Sequence, residues 1–311
     1  MSNIPAVTKK KKEKTHMSAL DRRDMKTAYL MLAPCFILLC IFVLYPLGSA
    51  IVRSLYDWTF YTESKFIGLT NYITIIKSRV FGQTVLNALR FALFSVPLGV
   101  IVPFLFASLL RNASDSLHGF VKSATYVPGI MSGAVASTII IMLISYKNGL
   151  INQLLMALGY RRIAFTSSEF WAYFWIIFVG VWQGLGSGTI LYYAGIMGIP
   201  QDYYEAASLD GANAFHKLLY VTIPQMKNLF ILQIINGVAG SLQMFEMPNF
   251  ITAGGPRNST MTPVLYLYNL YRDTTKTTGY TISAAVILLI IIAIINMFVF
   301  KLIRSEKMME G

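Results

Sequence analysis

The residues able to do chemistry are few and scattered. His16, His118 and His216 lie far apart and supply no pair at metal-ligand spacing. Cys35 and Cys40, five residues apart in one apolar run, face different directions on a helix, so neither a disulfide framework nor a metal set follows. No Lys-Ser or Lys-Thr pair is preceded by Gly, and the chain has no phosphate-cradling P-loop. Gly184-Leu185-Gly186-Ser187-Gly188 lies inside an apolar stretch, where glycines serve close helix packing. Two ionisable groups also sit in apolar stretches. Arg90 can snorkel to an interface. Glu246, two residues before Pro248, reads as a solvated helix terminus, the alternative being an ion-coupling carboxylate. Asn258-Ser259-Thr260 fits a glycosylation acceptor, a triplet short enough to recur by chance. With no acid–base or nucleophile set, the expectation is a chain that is not an enzyme and has no cofactor and no metal.

The elements that carry these residues follow from composition. The 311 residues are 55% hydrophobic and 13% charged, with mean hydropathy +0.57, against about 25% charged in soluble domains. So few charges cannot cover the outside of a soluble fold of this size, and an all-α polytopic membrane protein is expected. Six runs reach the roughly 20 residues that a spanning helix needs: Ala28–Val52, Leu86–Leu110, Ala124–Ser145, Phe170–Met197, Asn228–Ile251 and Tyr280–Phe300. The first is too long for a signal-peptide core and predicts a span that stays. No alternating ten-residue pattern supports a β-barrel. Eight of the 26 basic residues precede Tyr29, which fits topology setting and contact with anionic membrane lipid rather than nucleic acid. With the N-terminus cytoplasmic, 15 basic residues fall inside and 10 outside, Arg90 lying within a span. Both termini are then cytoplasmic in a multi-pass protein of the cell membrane. The expected division is a basic tail 1–27, a transmembrane domain 28–304 with a cytoplasmic loop 198–227, and a C-terminal tail 305–311.

Loop 198–227 is the most informative segment. Pro200 and Asp202 open a helix, and Glu205, three residues after Asp202, suggests a capping box. Gly211 stands where that helix would stop. A second short helix, Ala212 to Tyr220, leads to Pro224 and the fifth span. The small residues Ala206 and Ala207 allow close approach of another surface, as in helix-in-groove docking; a plain surface loop is the alternative reading.

The string Glu205-Ala206-Ala207, three residues, Gly211, nine residues, Val221-Thr222-Ile223-Pro224 resembles the EAA signature of ABC importer permeases, with Val221 for Ile and Ile223 for Leu. The stretch Tyr204 to Ala212 is similar to the carbohydrate branch. Phe66-Ile67-Gly68-Leu69-Thr70-Asn71-Tyr72, Gly149-Leu150-Ile151-Asn152 and Gly254-Gly255-Pro256 resemble outer-loop strings of sugar permeases. The resemblance covers Tyr29 to Arg304 and is to the maltose-type, first-partner permease. It implies a type I permease fold, a second permease subunit forming a heterodimer, two ATPase subunits and an extracytoplasmic sugar-binding protein. It further implies alternating access driven by ATP hydrolysed on the partner chains. Glu205, Ala206, Ala207, Asp210, Gly211 and Pro224 would form the ATPase-coupling segment. Gly184, Ser187, Ser241 and Met244 fall at the levels where such a permease lines its sugar site. Gln183 and Gln243 join them as polar residues of the same spans, helix packing being the other role open to all six. The residue types mostly differ from the maltose case. The other readings are a permease for amino acids, peptides or another small solute, and an ion-coupled secondary carrier.

Overall fold

The computed structural model describes residues 19–59, 64–111, 115–273 and 275–305. The basic run from Lys9 to Lys14, His16 and residues 306–311 lie outside them. The chain forms two units, Met1–Arg53 and Ser54–Gly311. In the first, helix α1 (Ala19–Leu39) passes through a π-helical turn, Cys40–Leu44, into α2 (Tyr45–Arg53). From Met25 to Arg53 this is one apolar helical stretch long enough to cross a membrane.

The second unit begins with a two-stranded ribbon, β1 (Tyr56–Asp57) and β2 (Lys65–Phe66), paired antiparallel with Tyr56 opposite Phe66. Thirteen helices follow among the described residues: α3 (Thr70–Ile76), α4 (Arg79–Leu110), α5 (Asp115–Ile130), α6 (Gly133–Ile144), α7 (Leu150–Ala157), α8 (Glu169–Met197), α9 (Gln201–Leu209), α10 (Ala214–Lys217), α11 (Ile223–Gln225), α12 (Lys227–Leu242), α13 (Glu246–Thr252), α14 (Pro263–Arg272) and α15 (Thr278–Ser305). Helix α4 packs on both α8 and α12, and α5 and α6 pack along α8. One core cluster gathers Phe91, Ile140, Ile176, Val179 and Ile251. Another, at the opposite end of α4 and α8, gathers Phe104, Ala107, Tyr192, Ile196 and Met226.

Four helices are long and apolar enough to cross a membrane, or six if each of two bent pairs is one span. Two of the expected runs are corrected, the third by one of these bends and the fifth by a break that belongs to neither pair; the second bent pair is Ala214–Gln225 with Lys227–Gln243, at 69°. The third does not run unbroken from Ala124 to Ser145: α5 and α6 meet at 102°. Ser132 starts α6, its hydroxyl accepting from the Val135 N–H at 3.3 Å. The fifth does not reach Ile251 as one helix, because α12 stops at Leu242 and α13 starts at Glu246. The carbonyl of Met244, in this gap, accepts from the Thr262 hydroxyl at 2.6 Å. Glu246 is an exposed helix-terminal residue in the first turn of α13, and its carboxylate lies where a side chain on Gly133 would have to be. It thus stands at the N-terminal ends of both α13 and α6, where negative charge is favoured.

Two prolines explain the two π-helical turns. Cys40–Leu44 ends two residues before Pro46, and Leu218–Thr222 ends two residues before Pro224. A proline has no N–H to donate, and its ring clashes with the carbonyl four residues back. Shifting to five-residue bonds, Tyr45 N–H to Cys40 O and Ile223 N–H to Leu218 O, widens the helix there and lets it continue.

Each of three loop strings noted in the sequence holds or adjoins buried polar residues. Asn152 is fully buried; its amide donates to the carbonyls of Ser145 (3.1 Å) and Ile163 (3.0 Å), and its oxygen accepts from the Ile163 N–H at 2.8 Å. Asn71 is also buried, but its amide nitrogen has no partner. The Gly-Gly-Pro loop folds into a knot. Gly254 has φ +84°, Thr260 donates to the Gly255 carbonyl at 2.6 Å, and Ser259 and Thr260 of the supposed glycosylation triplet are buried. From α4, fully buried Asn87 donates to the carbonyls of Asn258 (2.7 Å) and Met261 (3.0 Å). From α8, the Tyr173 hydroxyl donates to the Ser259 carbonyl at 2.8 Å. Removing Asn87 takes the donor from the Asn258 carbonyl and from the buried Met261 carbonyl, at roughly 1–3 kcal/mol for the buried one. Asn87→Leu should therefore lower the melting temperature of the detergent-purified protein clearly, whereas Asn71→Leu, which breaks no bond of its amide nitrogen, should leave it unchanged or raised.

Candidate functional site

Two regions bring predicted residues together. The first is the loop from Gly198 to Lys227. Helix α9 starts at Gln201 after Pro200, and no side chain caps it. The expected Asp202–Glu205 capping box is absent because Pro200 already sets the helix start, leaving Asp202 inside the first turn. The stop is sharper than the start. Gly211 takes φ +79°, Ala212 N–H bonds to Ala207 O at 2.9 Å and Gly211 N–H to Ser208 O at 3.1 Å. This is a Schellman motif, and its left-handed position explains the glycine. The next helix starts not at Ala212 but at Ala214, where the Asn213 side chain accepts from the His216 N–H at 2.9 Å.

On this scaffold Glu205, Ala206 and Asp210 are exposed and Ala207 is half-buried, while Pro224 lies exposed in α11. Leu209, at the end of α9, is 90% exposed. The opposite face is fixed to the body. Tyr204 is buried, and its hydroxyl pairs with that of Thr222 at 3.0 Å. Its ring carries the Arg111 guanidinium 3.6 Å from the centroid. Ser208 donates to the Tyr204 carbonyl at 2.7 Å and accepts from Lys217 Nζ at 2.7 Å. The α9 helix is thus a short exposed rod held from behind.

The second region is a cavity of about 310 Å³ among α4, α8 and α12. Of the six residues proposed for a substrate path, Gly184, Ser187, Ser241 and Met244 line it. Gln183 does not; its amide donates to the Met131 carbonyl at 3.0 Å, serving the break between α5 and α6. Gln243 does not either; it is exposed and bonds back to the Ala239 carbonyl of its own helix at 3.3 Å. Ser95, Gln233 and Asn236 complete the polar lining and went unrecognised in the sequence. Ser241 donates to the Gly237 carbonyl at 2.8 Å and lies 3.2 Å from the Ser95 hydroxyl. The signal for the missed residues was there: Gln233, Asn236, Gly237, Gly240 and Ser241 recur at helical spacing along one face of α12.

The glycine run of α8 divides its work. A Cβ on Gly186 would lie 2.5 Å from the Thr125 carbonyl oxygen and the Tyr126 Cα, and one on Gly188 would lie 2.9 Å from Pro103 Cβ, so these two make the expected close packing. A Cβ on Gly184 or on Gly240 would meet nothing within 4 Å; both open onto the cavity.

Residues 67–306 match the family described as binding-protein-dependent transport system inner membrane component. The chain belongs to that family. As one of these transport permeases it is a multi-pass protein of the inner membrane. It is 30% identical over 297 residues to the lactose transport system permease protein LacF of Rhizobium radiobacter, covering 94% of this chain and 99% of that one. It is 29% identical over 275 residues to the trehalose/maltose transport system permease protein MalF of Thermococcus litoralis, covering 88% and 93%. Among solved structures, a chain of a bacterial ABC transporter involved in the import of the acidic polysaccharide alginate superposes with a TM-score of 0.80 at 22% identity, covering 92% of this permease and 98% of that chain. The permease fold is thus a type I ABC importer fold.

The two kinds of glycine in α8 separate in a simple test on the purified permease. Gly186→Ala should lower its melting temperature or its yield, because backbone must move to admit the methyl. Gly184→Ala should leave both unchanged.

Proposed function

We propose that this chain is the transmembrane subunit of an ATP-driven importer that takes up a sugar or oligosaccharide delivered by an extracytoplasmic binding protein. Two ATPase subunits dock on α9, and a second permease subunit completes the pathway. The observation that carries the coupling role is α9 itself. The Glu205-Ala206-Ala207 string lies on a helix that is stopped sharply at Gly211, fixed behind through Tyr204 and Ser208, and exposed in front at Glu205, Ala206 and Leu209. An exposed apolar side chain beside small residues and an acidic group suits insertion into a cleft with a basic rim.

Only three residues, Gly198 to Pro200, separate α8 from α9, so displacement of α9 by a closing ATPase passes directly to α8 and the cavity it lines. In this reading ATP binding and substrate delivery favour the same arrangement of a two-state bundle, and hydrolysis on the partner subunits resets it. The cavity lining supports a hydroxyl-rich solute. It offers serine hydroxyls and the Gln233 and Asn236 amides against the apolar faces of Val96, Val100 and Val181, the mixture of hydrogen-bonding and flat apolar surface that a sugar needs. Relatives named for lactose and for trehalose and maltose point to the same class. The N-terminus, the loop 198–227 and the C-terminus face the cytoplasm in this arrangement, as the distribution of basic residues suggests.

The test uses cells that express the chain with its partner subunits and measures uptake of a labelled oligosaccharide together with the amount of chain in the membrane. Glu205→Lys and Gly211→Asp should each reduce uptake at least tenfold with the chain still inserted, and the ATPase should no longer co-purify. Normal uptake in both variants overturns the coupling role. Gly184→Phe, which fills the cavity, should abolish uptake while the ATPase still co-purifies.

A further inference from the structure

A second polar cavity, of about 260 Å³, lies behind α9, bounded by the ends of α4 and α8 and by the segment from Ala214 to Thr222. Its lining includes Ser108, Arg111, Gln201, Tyr204, Ser208 and Lys217: two cations and no carboxylate. Tyr204 and Ser208 are one turn apart on the same face of α9, with Cβ atoms about 5–6 Å apart. Arg111 stacks on the first and Lys217 donates to the second, so both positive charges are gathered within one helical turn. Both side chains are half-buried, where screening by water is reduced and like charges repel more strongly. Among the described residues neither is paired with an acid. Asp202, Glu205 and Asp210, the acids of α9 and its C-cap, are exposed and do not line the cavity. The stacking of the guanidinium face on Tyr204 leaves its N–H edge, five donors in a planar fork, for another acceptor. A neighbouring cavity of about 430 Å³ shares Arg111, Ile196 and Gln201 with it and reaches the first turn of α9, whose N–H groups favour negative charge.

We propose that this cavity is an anion site that takes a phosphate group between Arg111 and Lys217, with the Gln201 amide as a further donor. The group is either the phosphate of an anionic phospholipid, whose headgroups lie level with the ends of spans such as α4 and α8, or a free phosphate. A dianion or monoanion there replaces the repulsion of two cations by two charge-assisted contacts and ties the end of α4 to the back of α9. The site stands on its own geometry and does not depend on what docks on the front of α9.

The test is thermal unfolding of the full chain purified in mild detergent, with four additions: inorganic phosphate, sodium chloride at matched ionic strength, phosphatidylglycerol, and phosphatidylcholine. The expected result is an upward shift of a few degrees with phosphate over chloride, with phosphatidylglycerol over phosphatidylcholine, or with both. A shift with phosphatidylglycerol alone assigns the site to a lipid headgroup; a shift with phosphate as well assigns it to a free anion. Lys217→Gln, which keeps a donor for Ser208 and removes the charge, should abolish the shift, and Arg111→Lys should reduce it. If no anion shifts the native chain, or the shift persists undiminished in Lys217→Gln, the proposal is wrong.

Discussion

A helix that breaks inside a membrane leaves carbonyl and N–H groups in a medium with no water to bond them, and every unsatisfied group costs several kcal/mol. This chain interrupts its expected third and fifth spans, between α5 and α6 and between α12 and α13, and bends once more between α11 and α12; several of its polar groups close the first two breaks. Gln183 reaches the Met131 carbonyl, Ser132 caps α6, Thr262 reaches the Met244 carbonyl, and Glu246 stands at the two helix starts. The Gly-Gly-Pro knot extends the same principle, with Asn87 and Tyr173 supplying donors from α4 and α8 to its carbonyls. Gln183, Asn87 and Tyr173 reach out from the unbroken helices α8 and α4, while Ser132, Thr262 and Glu246 act from the ends of the short helices. Helices α4 and α8 are therefore the frame against which the rest is folded.

That frame also explains which parts of the molecule the sequence disclosed. Length and apolarity place α4, α8 and α15 well, since a continuous helix satisfies its own backbone and needs only an apolar exterior. The breaks were hidden because hydropathy does not register hydrogen bonding. Met244 and Phe245 are as apolar as a helix interior, and the donor that relieves the gap, Thr262, is 18 residues away. Gln183 looked like a group facing a solute because its role is set by a carbonyl 52 residues earlier. The stop at Gly211 was legible, since a left-handed residue after a helix is a local requirement. The start of α9 was misread, since Asp202 and Pro200 compete for the same role and the proline's fixed φ decides it. Gln233 and Asn236 belong to a stripe visible only when residues are read at helical spacing.

The unbroken course of α8 joins regions that have different duties. One end of it holds the Gly-Gly-Pro knot through Tyr173, its middle lines the cavity at Gly184 and Ser187, and its other end passes through three residues into α9. A rod fixed at one end by hydrogen bonds and continuous at the other with an exposed helix transmits displacement along its axis and resists bending. The small residues along it, Gly186 and Gly188, bring α5 and α4 so close that little lateral give remains. Motion in this part of the bundle is thereby confined to a few directions, which suits a device that alternates between two arrangements rather than flexing through many.

The cavity is shaped as much by missing side chains as by present ones. A Cβ on Gly237 would press Val96 at 3.0 Å and one on Gly180 would just touch Met247 at 3.6 Å, but Gly184 and Gly240 face empty space. At those two positions a single base change to alanine, serine or valine would narrow the chamber without disturbing the packing that holds the fold. The width of the chamber is therefore open to change while the frame around it stays constant, and under the proposed transport role a pair of glycines would set the size of the solute admitted.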